Sequence, residues 1–125
     1  MISYTTYRVL HYLAVFGLVV TLAAALGRGA LLPEGAEDPW RRRLAALHGA
    51  SLLLVAVAGF GLIARLDLLR GALLPGWIWA KLVIWLTLGG LVSLAFRRSR
   101  WSGAALVLLP FLAALAGYLA LAKPF

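Results

Sequence analysis

The stretch from Pro75 to Arg100 constrains the fold of this chain more than any other. It reads PGWIWAKLVIWLTLGGLVSLAFRRSR, with two tryptophans at its start, one charged residue in its apolar interior and three arginines at its end. About 20 apolar residues are enough to cross the hydrocarbon core of a bilayer, and Trp and Arg are typical of its two interfaces. The pattern therefore predicts a transmembrane helix.

Three further apolar runs indicate that this helix is one of four. We predict spans over residues 5–26, 44–64, 77–96 and 103–122. The composition agrees, because 64% of the 125 residues are hydrophobic and 13% are charged, which is outside the range of soluble domains. Short connections favour antiparallel neighbours. The predicted fold class is all-α, an integral membrane four-helix up-down antiparallel bundle that forms a single transmembrane domain over residues 1–125.

Glycine and proline mark local features of this pattern. Gly27, Arg28 and Gly29 are interpreted as a signal that stops the first helix. Pro110 lies near the middle of the fourth span and is expected to bend it unless a neighbouring helix compensates. The first span is similar to a secretory signal, because Arg8 precedes its continuous apolar run and small residues follow that run. The three spans that come after it favour a helix that is retained.

The basic residues predict which ends face the cytoplasm. The loops after the first and third spans carry seven Lys or Arg residues, whereas the other side carries four. Cytoplasmic loops are enriched in these residues, so we predict that those two loops are cytoplasmic and that both termini lie outside. The seven are Arg28, Arg41, Arg42, Arg43, Arg97, Arg98 and Arg100, and the four are Arg8, Arg65, Arg70 and Lys123. The net charge of +8 is thus assigned to lipid head groups and not to nucleic acid.

One polar cluster is predicted near the outer boundary of the bilayer. Lys81 lies one helical turn from both Trp77 and Trp85, so the three form a stripe on one face. The antiparallel order places His11 and Tyr118 at a similar depth. A lysine inside a span is costly unless it is paired or hydrated, and no span contains Asp or Glu. Either Lys81 snorkels to the interface, or the cluster holds an anionic or quinone-like head group.

The two histidines suggest a haem, since a pair of histidines is a common way for a helical bundle to hold one. His11 lies near the outer start of the first span and His48 near the inner start of the second. Their rings are therefore predicted to lie more than ~10 Å apart along the membrane normal, too far for one haem. Haem or pigment bound by a single histidine stays open, as does a simple hydrogen bond between helices.

Several functional classes lack the residues they need. Without an acidic residue in any span, a proton-coupled multidrug pump is disfavoured. No metalloprotease, nucleophile-elbow or phosphate-loop motif occurs, so we predict no enzymatic activity. A small-solute transporter is least favoured, because no inverted repeat is visible. Small residues over Ala45 to Gly49 and Gly89 to Ser93 favour association with other membrane-protein subunits or with a second copy, as an accessory or scaffold subunit.

Four segments of the chain resemble one known family. They are YRVLHYLAV, RRRLAALHGASLLL, WIWAKLVIWLTLGGLVSLAFRR and GYLALAKPF. Their layout resembles the SirB family, bacterial inner-membrane proteins named as up-regulators of invasion-gene expression. The resemblance implies a small four-helix protein of the bacterial inner membrane. That family tends to have an Asp three residues after its second histidine, where this chain has Ser51. The matched positions are His11, His48, Trp79, Lys81, Gly89 and Lys123-Pro124.

Overall fold

A computed structural model describes residues 2–71, 73–97 and 99–125, without the side chains of Leu69 and Ser99. Arg98, which the orientation count includes, lies outside the described residues. The described part of the chain folds into four α-helices and two short 3-10 turns. All four helices are long and apolar enough to cross a membrane, so the predicted all-α four-helix bundle is confirmed. The helices are α1 (Tyr4–Leu31), α2 (Arg41–Arg65), α3 (Gly76–Arg97) and α4 (Ser102–Ala122).

The helix lengths match the thickness of a bilayer. At about 1.5 Å per residue, α3 and α4, with 22 and 21 residues, measure roughly 32 Å against a hydrocarbon core of about 30 Å. The 28 residues of α1 span about 42 Å and extend beyond it. Pro110 lies inside α4, and the helix continues through it. Large apolar side chains such as Leu13, Phe16 and Val20 point outward, so the outer faces of the bundle contact lipid.

Contacts between helices show that α1 and α2 run in opposite directions. Near one end, the Tyr7 ring lies against Gly61, and further along α1 Gly17 faces Ser51. Residue numbers therefore increase along α1 in the direction in which they decrease along α2, as in an antiparallel pair. One end of the bundle contains the end of α1, the start of α2 and the end of α3. We call it the arginine-rich end, and the opposite end, which contains Lys81 and Lys123, the lysine end.

The buried core lies between α1, α3 and α4. Helix α1 contacts each of the other three helices, and so does α3, whereas no contact joins α2 to α4 among the described residues. Helix α2 supplies only partly buried residues to the main cluster and approaches α1 closely where glycines lack side chains. Its position is thus set by backbone proximity more than by large core side chains. The fully buried cluster comprises Leu18, Leu22, Leu26, Ile84, Leu88, Ala105, Leu109 and Leu119.

The end of α1 differs from the sequence-based expectation. The prediction that the first helix stops at the glycines of residues 27–29 is wrong, because α1 continues to Leu31. A Cβ atom at Gly29 would stand 2.6 Å from Ser102 Oγ and 3.0 Å from the carbonyl oxygen of Ala95. Gly29 therefore permits close contact between α1, α3 and the start of α4. The lack of a side chain at Gly29 allows the helices to pack closely and does not end α1.

Candidate functional site

Two lysines lie over one tryptophan at the lysine end, and a histidine lies near one of the two lysines. The Lys81 Nζ lies 5.9 Å from the centroid of the Trp77 ring, and the Lys123 Nζ lies 5.6 Å from it. Both distances are within the range of cation–π attraction. His11 lies close enough to Lys81 for their charges to interact. The structure thus brings together three of the residues predicted from the sequence.

Lys123 is the member of this cluster that sequence reasoning missed. It follows the last turn of α4 with a positive φ of 45°. The backbone N–H of Trp77 donates to the carbonyl oxygen of Phe125 at 3.0 Å, which holds the tail against the start of α3. The antiparallel order of α3 and α4 is the signal that indicates this proximity, since it places the end of one helix beside the start of the other.

Trp85 and Tyr118 do not have the surroundings expected for members of the predicted polar cluster. Trp85 Nε1 donates to the carbonyl oxygen of Leu52 at 2.9 Å, so this tryptophan joins α3 to α2. In the described part of the chain, the Lys81 ammonium has its cation–π contact with Trp77 and none with Trp85. Tyr118 lies on the outer face of α4 with 56% of its surface exposed. The predicted stripe therefore divides between a cationic cluster and a helix contact.

His11 and His48 occupy separate positions on the α1–α2 interface. The Nδ1 of His11 lies 3.2 Å from the carbonyl oxygen of Val55. Val55 follows His48 by seven positions on α2, which corresponds to about 10 Å along the helix. His48 is only 2% exposed, and neither of its ring nitrogens has a hydrogen-bond partner among the described residues. The two imidazoles are thus too far apart to hold one iron between them.

A cavity at the arginine-rich end forms a second polar site, which no sequence pattern indicated. It has a volume of about 250 Å³ and lies where the end of α1, the loop over residues 32–40, the start of α2 and the end of α3 meet. Its walls combine charged side chains with Phe96, Leu32 and small residues. We call it the basic cavity, and its charged residues are Arg28, Glu34, Asp38, Arg41 and Arg97.

An ion pair fastens the loop of the basic cavity to α1. Arg28 donates from Nε and Nη2 to the two carboxylate oxygens of Asp38, each at 2.6 Å. The backbone N–H of Trp40 donates to the same carboxylate at 2.9 Å. The hydrogen bond and charge of Arg28, together with the Trp40 N–H, lower the pKa of Asp38 below its ordinary value. Such bidentate pairs combine charge with fixed geometry.

This ion pair predicts a dependence of stability on pH. Because the pKa of Asp38 is lower in the folded state, its stabilising contribution is present above the ordinary aspartate pKa of about 4 and is lost as the pH falls through the folded value. We expect Asp38→Asn to lower the thermal unfolding midpoint in detergent at pH 7 and to change it little at pH 2–3. Glu37→Gln, in the same exposed loop, is the control. An equal effect of Asp38→Asn at both pH values would contradict the assignment.

The fold and its two polar ends define a small polytopic membrane protein, a four-helix bundle with a cationic cluster at one end and the basic cavity at the other. Comparison with models of known protein families, with curated proteins and with solved structures found no match. The function is therefore inferred from the geometry of this chain.

Proposed function

We propose that this chain is a non-enzymatic accessory or scaffold subunit of a larger membrane complex. It associates with other membrane-protein subunits, or with a second copy, through small residues on its outer helix faces. The observation that carries the proposal is a set of glycines within the spans against which no other described part of the chain packs. Apart from the glycine's chain neighbours and the backbone of its own helix turn, no described atom lies within 4 Å of where each Cβ would stand. They are Gly49, Gly90, Gly103 and Gly117.

The remaining glycines show what such residues do inside the bundle. A Cβ atom at Gly59 would stand 3.4 Å from the His11 ring, and one at Gly89 would stand 3.0 Å from the Leu52 side chain. Within the face from Gly89 to Ser93, Gly89 therefore packs within the chain. Its neighbour Gly90 is exposed instead. Helices α2 and α3 thus each carry both internal and outward glycines.

Outward glycines weaken a helix unless something packs on them. Gly in a helix interior costs roughly 0.5–1 kcal/mol relative to Ala, so Gly49, Gly90 and Gly117 together cost roughly 1.5–3 kcal/mol. No contact within the described part of the chain offsets this cost. In a bilayer, helix association depends on close van der Waals packing, which small residues permit. A partner helix on these faces would supply the missing contacts.

Purification from native membranes in mild detergent tests the proposal. The wild type is expected to migrate as a complex well above its own mass of 13.4 kDa. Gly49→Leu is expected to reduce the associated subunit roughly tenfold, because its side chain stands where a partner helix would pack. Val57→Leu, at an exposed position of the same helix, is the control. A wild type that migrates only alone would contradict the proposal.

A second candidate function is the binding of an anionic or quinone-like head group, haem or pigment at the lysine end. The observation that favours it is the pair of ammonium groups on Trp77, which no carboxylate of the described side chains neutralises. Of the two, Lys81 is partly buried within a span whereas Lys123 is exposed, and a lysine within a span is often functional in membrane proteins. If this function holds, the native protein carries an anionic lipid or a quinone in its lipid extract, or a visible absorption band that dithionite changes.

The variant Lys81→Gln distinguishes ligand binding at the lysine end from association with other subunits. It is expected to lower the amount of bound ligand about tenfold, whereas Arg70→Gln, which removes one charge from an exposed position near the same end, is expected to leave it unchanged. Loss of ligand with the complex intact would support the second candidate alone. A featureless spectrum would exclude haem and pigment, and an extract without quinone would exclude a quinone, which would leave an anionic lipid head group.

The proposed location is the bacterial inner membrane, with the arginine-rich end in the cytoplasm. The excess of basic residues and the resemblance to the SirB family support it. Because the chain has no cysteine, single substitutions report the side directly. Gly71→Cys is expected to react with an impermeant thiol reagent from outside, and Ala36→Cys only after the membrane is opened. The reverse pattern would overturn this orientation.

A further inference from the structure

We propose that the basic cavity binds the phosphate of an anionic membrane phospholipid. This site lies at the opposite end of the bundle from the cationic cluster around Trp77, and it does not depend on the proposed function. Three features of the cavity favour this ligand. They are its depth in the membrane, the charged side chains that lie outside its ion pair, and an apolar groove beside it.

The cavity lies at the level where lipid phosphates occur. Its walls come from the last turn of α1, the first residue of α2 and the last turn of α3, so it stands where the helices leave the hydrocarbon core. Trp40 and Trp101 lie at this same end, and both rings are about half exposed. Tryptophans are enriched at the interface between head groups and acyl chains. A group held in the cavity is therefore at head-group depth.

The charges of the cavity favour an anion. Arg28 and Asp38 neutralise each other through their paired hydrogen bonds. The remaining charged side chains are Arg41 and Arg97 against Glu34, so one positive charge is left over. Basic pockets at the ends of membrane helices recognise anionic lipid head groups in this way.

Arg41 is held in position before any ligand arrives. One Nη donates to the carbonyl oxygen of Phe96 at 3.1 Å, and the guanidinium lies 4.8 Å from the centroid of the Phe96 ring. A guanidinium has five N–H donors in a planar fork that matches two phosphate oxygens, so most of its donors remain. Arg97 has no hydrogen bond or ion pair to any described residue. A fixed donor loses less entropy on binding than a mobile one.

An apolar groove favours a lipid over a free anion. It has a volume of about 400 Å³ and runs between the end of α3 and the start of α4. Leu94 lines it and precedes Arg97 by three residues, which is about one helical turn. A phosphate at Arg97 would thus have its acyl chain within reach of this groove. The groove residues are Leu91, Leu94, Trp101, Ala104, Ala105 and Leu108.

Native mass spectrometry of the full chain in detergent tests this site with phosphatidylglycerol, phosphatidylcholine and inorganic phosphate as separate probes. Phosphatidylglycerol is expected to bind most tightly. Arg97→Gln is expected to weaken that binding about tenfold. Arg42→Gln, which removes the same charge from an exposed position at the same end but outside the cavity, is expected to weaken it less than twofold. Equal losses in the two variants would show a dependence on net charge alone and overturn the site.

A second pair of variants changes the charge in the opposite direction and leaves all four helices untouched. Glu34→Gln is expected to strengthen phosphatidylglycerol binding about two- to fivefold, because it removes the negative charge that opposes the phosphate. Glu37→Gln lies in the same loop but outside the cavity lining and is expected to have no effect. Equal effects of the two would contradict the proposal, even if Arg97→Gln does not fold. Displacement of the lipid by millimolar inorganic phosphate would show that the cavity binds a free anion, and would overturn the assignment to lipid.

Discussion

Gly29→Ala is expected to destabilise the bundle by about 1–3 kcal/mol, the range for an added methyl in a packed core. The new Cβ would lie 3.0 Å from both Cα and the carbonyl oxygen of Ala95, and 2.6 Å from Ser102 Oγ. The Ala95 atoms are backbone and cannot rotate away, so α1 and α3 would have to separate. The separation would reach α4, because Ser102 at its start is fully buried.

Gly27→Ala is the matched control for this prediction. Apart from the backbone of its own helix turn, no described atom lies within 4 Å of where its Cβ would stand, and Ala is the better helix former by about 0.5–1 kcal/mol. It is therefore expected to be neutral or stabilising, although it lies on the same helix only two positions away. Unfolding in SDS, followed by tryptophan fluorescence, measures both variants. Equal stability of the two would mean that the α1–α3 contact is looser than the structure shows.

His48→Leu is expected to stabilise the protein by about 1–3 kcal/mol. Both ring nitrogens of His48 are buried without a partner in the described part of the chain, and an unsatisfied buried polar group costs about that much. Leucine fills a similar volume and has no polar atom. Backbone groups of Leu18, Leu88 and Gly89 lie beside the ring, but none of them completes a hydrogen bond to it.

His11→Leu is the comparison for this second prediction. It removes the contact with the carbonyl oxygen of Val55, so it is expected to destabilise the protein by about 0.5–1.5 kcal/mol. The two histidines should thus respond with opposite signs in the same SDS titration. If His48→Leu instead destabilises the protein and removes a visible absorption band, then His48 holds a ligand and the interpretation as an unsatisfied side chain is wrong.

The transmembrane architecture could be predicted from the sequence because it depends on one-dimensional patterns. Run length sets whether a helix can cross a bilayer, and the position of tryptophans and arginines marks its ends. The separation of His11 and His48 followed from the same reasoning, since antiparallel order and the rise per residue convert position into depth. None of these steps requires knowledge of which helix faces touch.

The local interpretation of glycine failed for a physical reason. Gly29 has the residue type expected after a helix, yet in the structure it stands inside α1 and contacts Ala95. Glycine allows both a helix end and a close helix contact, and only the neighbouring helix distinguishes them. The same ambiguity explains why Gly89 packs against Leu52 inside the bundle while Gly90 faces outward.

By itself, the sequence determined the helical class and the number of helices long and apolar enough to cross a membrane, because hydrophobic length acts along the chain. The tertiary structure decided which residues meet across helices. It placed Lys123 beside Trp77, buried His48 without a partner, and assembled the basic cavity from three helix ends and a loop. These features depend on how each helix is rotated about its own axis. In a uniformly apolar helix, that rotation is set by packing with its neighbours and leaves no periodic signal.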